Sequence, residues 1–280
     1  MKKRRTRLRG TKTAAKSEQK KLLQRIKNLK KNPRLLLPKI INSPETTKIY
    51  DKVYKELNLA KEQYEAFQEM ENNPQIKAVI FTGKGDRAFS AGADIHEISK
   101  LAQNPNPELY NSNWLSIWDI ASSKKPVIGA INGLAYGGGA AMASGFDIRV
   151  GCERTSFKFL AASYGRINST WSLPMQIGWP MAKELLFTAR LVKSKEAYNI
   201  GLLNHLVPSD QLMPKAIEIA QQISANDPRM VQGIKELMIQ NVGVIWEKMY
   251  RNEKNALEGK LRPTAPTDAF KDFLDRKGRK

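Results

Sequence analysis

The 280-residue chain has little of several things, and each shortage narrows its function. It holds one cysteine, Cys152, so no internal disulfide can form, and a reducing compartment suits it best. It holds only two histidines, His96 and His205, and no grouping of His, Cys and carboxylates at metal-ligand spacing, so no metal is expected. No apolar run approaches the ~20 residues needed to span a bilayer. The basic N-terminus is not followed by an uninterrupted apolar stretch, which argues against a secretory signal. No aromatic residue precedes Tyr50, so the basic N-terminal part lacks a platform on which single-stranded bases could stack. Its triple glycine is not a G-x-G-x-x-G, and no P-loop lysine comes after it, which disfavours a dinucleotide or nucleoside-triphosphate site.

What is abundant is positive charge, and it is concentrated. Of a net +20, residues 1–40 carry sixteen Lys or Arg against one acid, Glu18. The body is therefore only mildly basic. Residues 1–40 read as a basic N-terminal arm, partly disordered or helical. Its first ~16 residues cannot bury a core. Leu22, Leu23, Ile26 and Leu29 then fall on one face at helical spacing. Three readings of the arm stay open. It is a solvated tail, a contact for nucleic acid or anionic membrane through residues 1–34, or a transit peptide.

From residue ~45 the pattern becomes regular. The stretch 46–72, with Val53, Leu57, Leu59 and Phe67, predicts a helix. IKAVIFTG (76–83), KPVIGAING (125–133) and DIRVGC (147–152) predict buried strands. Helices are expected at 109–122, 181–190, 194–202, ~210–224 and ~228–256. Strands alternating with helices predict an α/β fold of stacked units.

Two turns carry the chemistry. RAFSAGADI (87–95) comes after the first strand, and GLAYGGGAAM (133–142) after the second. Each leads from a strand through small residues into a helix, so each can aim a backbone N–H at a developing negative charge. Two such donors meeting on one oxygen make an oxyanion hole. Glycine and alanine suit the task because a larger side chain would block the approach. Taken singly, each turn is equally a tight helix–strand contact.

Together with two segments nearer the C-terminus, these turns resemble the crotonase superfamily, the enoyl-CoA hydratase/isomerase family. RAFSAGADIHEI is similar to its first oxyanion turn and KPVIGAINGLAYGGGAAMASGFDIRV to its second. KELLFTARLVKSKEAYNIGLLNHLVP resembles its next segment, and FKDFLDRKGRK its terminal basic helix. The resemblance covers residues 41–280. It implies a ClpP/crotonase-like spiral of ββα units, with a core over 41–215 and a helical trimerisation region over 216–280. It implies a homotrimer or hexamer and an acyl-CoA thioester as substrate, with no separate cofactor. The oxyanion donors it implies are the backbone amides of Ala93 and Gly138. The implied CoA contacts are Arg87, Ala91, Asp94, Ile95, Lys271, Arg276 and Lys277.

The chain departs from the pattern at the acid and base. Hydratases of the family place one glutamate two residues after the glycine triplet and another in an F-G-x-P-E segment. Here those positions read Ala141 and Ala161, which move no proton. His96, Glu97 and Tyr164 are the remaining acid/base candidates near the turns, with His96 apt because imidazole titrates near pH 6.5. The expectation is an acyl-CoA enzyme that stabilises a thioester enolate, with doubtful hydration, in the cytoplasm or an organellar matrix. The alternative is a non-catalytic acyl-CoA-binding protein whose basic arm contacts nucleic acid or membrane.

Overall fold

The computed structural model describes residues 36–40, 59–92 and 115–263. Two sheets run through it. The first has the order β1 (Leu36–Ile40), β2 (Val79–Gly83), β4 (Val127–Ile131), β6 (Ile148–Gly151), β9 (His205–Leu206). The second has the order β3 (Ala88–Ser90), β5 (Leu134–Tyr136), β7 (Ser156–Lys158), β8 (Val192–Lys193). Successive strand pairs β2–β3, β4–β5 and β6–β7 each give one strand to each sheet, so the chain advances as a spiral. The predicted α/β spiral is the observed fold.

The β-branched runs explain the first sheet. β4, VIGAI, is buried along its whole length, as a central parallel strand covered on both faces should be. Alternate residues serve two cores. Val79, Phe81, Val127 and Ile131 face Phe67, Phe89, Phe146 and Phe157. Ala78, Ile80, Ile128, Ala130, Val150 and the wholly buried Cys152 face Leu212, Ala216, Ile219 and Ala220 of helix α7 (Leu212–Ser224). The Phe146 ring stacks on Phe81, with centroids 5.4 Å apart, and meets Phe89 edge-on.

Helix α1 (Leu59–Asn72) is the described part of the helix expected over 46–72. The buried Lys125 closes its C-terminal end by donating from Nζ to the carbonyls of Met70 and Asn73. Helix α2 (Ile117–Ala121) lies within the helix expected over 109–122, of which 109–114 lie outside the described residues, and Ser116 and Asp119 form a reciprocal capping box at its entry. Helix α3 (Gly138–Ser144) begins within the triple glycine. Helices α4 (Leu173–Ile177), α5 (Trp179–Thr188) and α6 (Ser194–Asn199) complete the spiral.

Three boundaries move. Residues 36–40, expected in the basic arm, form the antiparallel edge strand β1, with Pro38 at a sheet edge where a missing N–H is tolerated. The division at 215/216 falls inside α7, which packs on the first sheet and belongs to the core. The helix expected over 228–256 is two, α8 (Pro228–Gln240) and α9 (Trp246–Glu258), parted where Gly243 takes φ +75°. Lys235 of α8 anchors this pair to the spiral, donating to Asp147 Oδ2 at 2.7 Å and to the Lys125 carbonyl at 3.1 Å.

Candidate active site

The site is built where the first two units of the spiral lie side by side. β3 and β5 pair in parallel, with an irregularity in register between Ala88 and Ser90, just before Ala91 and Gly92. Such a bulge re-aims the chain as it leaves the sheet. The two turns are then held together. The Asn132 amide oxygen accepts from the Gly83 N–H at 3.0 Å, and its Nδ2 donates to the carbonyls of Gly83 (3.0 Å) and Gly85 (2.7 Å). The Leu134 N–H donates to the Arg87 carbonyl at 3.2 Å. Asn132 therefore welds the β2–β3 connection to the β4–β5 connection, a role that the sequence reading missed. The available signal was a polar residue ending an otherwise apolar strand.

Beyond that weld the backbones nearly touch. A Cβ on Gly92, which has φ +89°, would lie 2.8 Å from the Gly138 nitrogen. One on Gly139 would lie 2.3 Å from the Ser90 carbonyl oxygen. Only glycine permits this approach. Gly137 caps α3 with φ +51°, and its N–H donates to the Lys158 carbonyl at 2.9 Å. The first intrahelical bond of α3 runs from the Ala141 N–H to the Gly137 carbonyl. The Gly138 amide, at the first position of α3, has no intrahelical acceptor and carries the positive end of the helix. Gly138 is exposed. The geometry thus presents a free donor at Gly138, with the Ala91–Gly92 backbone beside it.

The predicted residues divide accordingly. Gly138, Ala91, Arg87, Ala141, Ala161 and Tyr164 are described; Ala93, Asp94, Ile95, His96, Glu97, Lys271, Arg276 and Lys277 lie outside the described residues. Arg87 and Ala91 are exposed near the turns. Ala141 is buried on α3. Ala161 enters a 3-10 turn, Ala162–Tyr164, that ends at Gly165 in the left-handed region. Tyr164 is 61% exposed, and its ring stands in solvent rather than in the core.

Beneath Ala141 lies a neutral polar cluster. Ser144 Oγ donates to the Ala141 carbonyl at 2.6 Å and lies 2.7 Å from Ser172 Oγ and 3.5 Å from Ser169 Oγ. All three serines are buried, and Ser169 takes φ +56°. Asn168 Oδ1, next in the chain, is buried with no hydrogen-bond partner. Gln176 donates to the Ser144 carbonyl at 3.4 Å and accepts from the guanidinium of the fully buried Arg149. Burial pulls Arg149 down to about 10, against the opposing attraction of Asp147. Asp147 is pushed up by its own burial, an effect that Lys235 opposes. Apart from Asn168 Oδ1, these groups bond to main-chain groups, to Lys235 or to each other, as structural groups do.

Among the described residues, no three His, Cys, Asp or Glu are grouped to hold a metal ion, and no helix is long and apolar enough to cross a membrane. An apolar groove of about 730 Å³ lies between α8, α9 and Met175.

Comparison with known proteins places the chain in a family. Residues 56–272 match the model of the family described as enoyl-CoA hydratase/isomerase. A short-chain-enoyl-CoA hydratase of Clostridium acetobutylicum is 36% identical over 171 residues, 60% of this chain and 66% of that protein. A mitochondrial enoyl-CoA hydratase of Pongo abelii is 32% identical over 228 residues, 80% of this chain and 72% of that one. The crystal structure of an enoyl-CoA hydratase from Bacillus anthracis superposes with a TM-score of 0.67 at 30% identity, over 77% of this chain and 85% of that one. With residues 56–272 matched and the spiral shared, the chain belongs to the enoyl-CoA hydratase/isomerase family and has the crotonase fold.

Proposed function

We propose that this chain is an acyl-CoA enzyme that holds the thioester oxygen between the backbone amides of Ala93 and Gly138. The enolate that forms on loss or transfer of a neighbouring group is stabilised there. The observation that carries this is the close approach of Gly92, the residue before Ala93 in the chain, to the Gly138 nitrogen at the start of α3. A donor of this kind contributes about 10²–10³ in rate. Arg87, Ala91, Asp94 and Ile95, with Lys271, Arg276 and Lys277 of the terminal segment, are the CoA contacts of this reading. Guanidinium and ammonium groups suit the CoA phosphates. The reading needs no cofactor beyond the CoA of the substrate.

The reaction favoured is one that rests on enolate stabilisation, such as double-bond isomerisation or decarboxylation. Alanine at 141 and 161 removes the two carboxylates that activate water, and general acid–base catalysis is worth about 10²–10⁴. His96, Glu97 and Tyr164 are the proton carriers left to test. The deciding experiment measures hydration of crotonyl-CoA, isomerisation of a 3-enoyl-CoA and decarboxylation of a malonyl-type thioester, beside binding by calorimetry. Isomerisation or decarboxylation without hydration is expected. Hydration at the ordinary enzymatic kcat of about 1–10³ s⁻¹ would overturn the reading of Ala141 and Ala161.

The same two alanines favour a second reading, a binding protein without turnover. Tight acyl-CoA binding with no activity on all three substrates is its signature. In either case the exposed Met238, Ile245, Trp246 and Tyr250 of α8, α9 and the turn between them fit self-association as a homotrimer or hexamer. Light scattering tests this against the 31.6 kDa protomer. The basic residues 1–34 fit a contact with nucleic acid or anionic membrane, and the cytoplasm or an organellar matrix is the compartment proposed.

A further inference from the structure

Two tryptophans stand at the surface above α3, and the oxygen site makes no use of them. Trp118 of α2 is 56% exposed and Trp171 is 45% exposed, yet their rings meet edge-on with centroids 5.7 Å apart. Each is carried by a segment fastened to the far end of α3. Ile117, beside Trp118, packs so closely on Gly145 that a Cβ there would fall 2.7 Å from its Cγ2. Ser169 and Ser172, on either side of Trp171, bury their hydroxyls against Ser144. The indole pair is thus fixed over the C-terminal end of α3, and Gly138 opens the same helix. Six residues at 1.5 Å each separate Gly138 from Ser144, or about 9 Å along the axis. Met142 of α3 and Leu115 beside α2, both partly buried, add apolar surface on these same elements.

We propose that Trp118 and Trp171 form an aromatic clamp for the distal part of the acyl chain, so that the site prefers medium and long acyl-CoA thioesters to short ones. The clamp rests on the acyl-CoA reading of the site. The occupant is set by position. A thioester held at Gly138 lies about 9 Å along one helix from the pair, within reach of an acyl chain, and varying the chain length on one and the same CoA separates the chain from the adenine ring, which can also stack on indoles. The pair is also preorganised. The loop bearing Trp171 is pinned by two buried hydroxyls and a left-handed Ser169, so little ordering is left to oppose binding. Each methylene covered by the clamp is worth about fourfold in Kd.

Calorimetry with butanoyl-CoA and dodecanoyl-CoA on the full chain tests it, for the wild type and for Trp118→Ala and Trp171→Ala. The wild type should bind dodecanoyl-CoA more tightly. Each variant should lose affinity for dodecanoyl-CoA at least about tenfold more than for butanoyl-CoA, the worth of about two methylenes. Trp118 projects from the surface, so Trp118→Ala keeps the test open if Trp171→Ala does not fold. Equal losses at both chain lengths, or no loss, overturn the clamp and leave the pair as a surface for another partner. Failure of both thioesters to bind the wild type overturns the acyl-CoA reading and the clamp together.

Discussion

Asn132 and Gly139 show how much of this site is decided by single side chains that do no chemistry. Asn132 satisfies one main-chain donor and two main-chain acceptors between the first two units of the spiral. Asn132→Leu leaves the N–H and carbonyl of the buried Gly83 without this partner, and at about 1–3 kcal/mol per group the expected cost is roughly 2–6 kcal/mol, read by urea unfolding. Gly139→Ala acts on the turns directly. Its methyl would meet the Ser90 carbonyl at 2.3 Å, so the turns must part. A loss of about 1–3 kcal/mol in stability is expected. In steady-state assays kcat/KM should fall with kcat, because the geometry of the oxygen site is what changes. The triple glycine was legible in the sequence as a place of close backbone approach between a strand and a helix, because a larger side chain would not fit there. The role of Asn132 was not legible, because its one local sign, a polar residue ending an apolar strand, does not say which distant backbone groups the side chain will reach.

At the level of elements, the buried strands were readable because β-branched runs bounded by glycine and proline have no other comfortable state. The short strands β3, β5, β7 and β8 were not, since two or three residues give no periodicity and their pairing is set by tertiary contact. The break between α8 and α9 was missed for a related reason: the apolar spacing continues through it, while Gly243 at φ +75° and an extended Ile245 interrupt the helix. Lys125 joins two elements and carries a pH signature. Burial holds its ammonium below the ordinary 10.5, with Glu71 opposing and Lys124 adding to the shift. In the interval between that lowered value and 10.5 the unfolded chain binds more protons than the folded one. Stability contributed by this residue therefore rises with pH. Urea unfolding of the wild type and Lys125→Met, followed from neutral pH up to 10.5, should show the advantage of the wild type widening as the pH approaches 10.5.

At the scale of the whole molecule, the first described element, β1, begins at Leu36, just after the strongly basic residues 1–34. Deleting residues 1–34 should leave the thermal midpoint and acyl-CoA affinity nearly unchanged. It should also abolish any salt-sensitive retention on an anionic matrix. Deleting 1–40 removes β1 and bares the edge of β2, and a clear fall in thermal midpoint is expected. A large destabilisation already at the shorter deletion would make the arm part of the core. Cys152 offers a separate measurement. It is the chain's only thiol, and it lies between the first sheet and α7, with none of its surface in contact with solvent. A thiol-specific reagent can mark a molecule only when that layer separates. The time course of labelling in native buffer therefore clocks how often the sheet and its covering helix come apart, and an acyl-CoA that binds the folded state should slow it in proportion to occupancy.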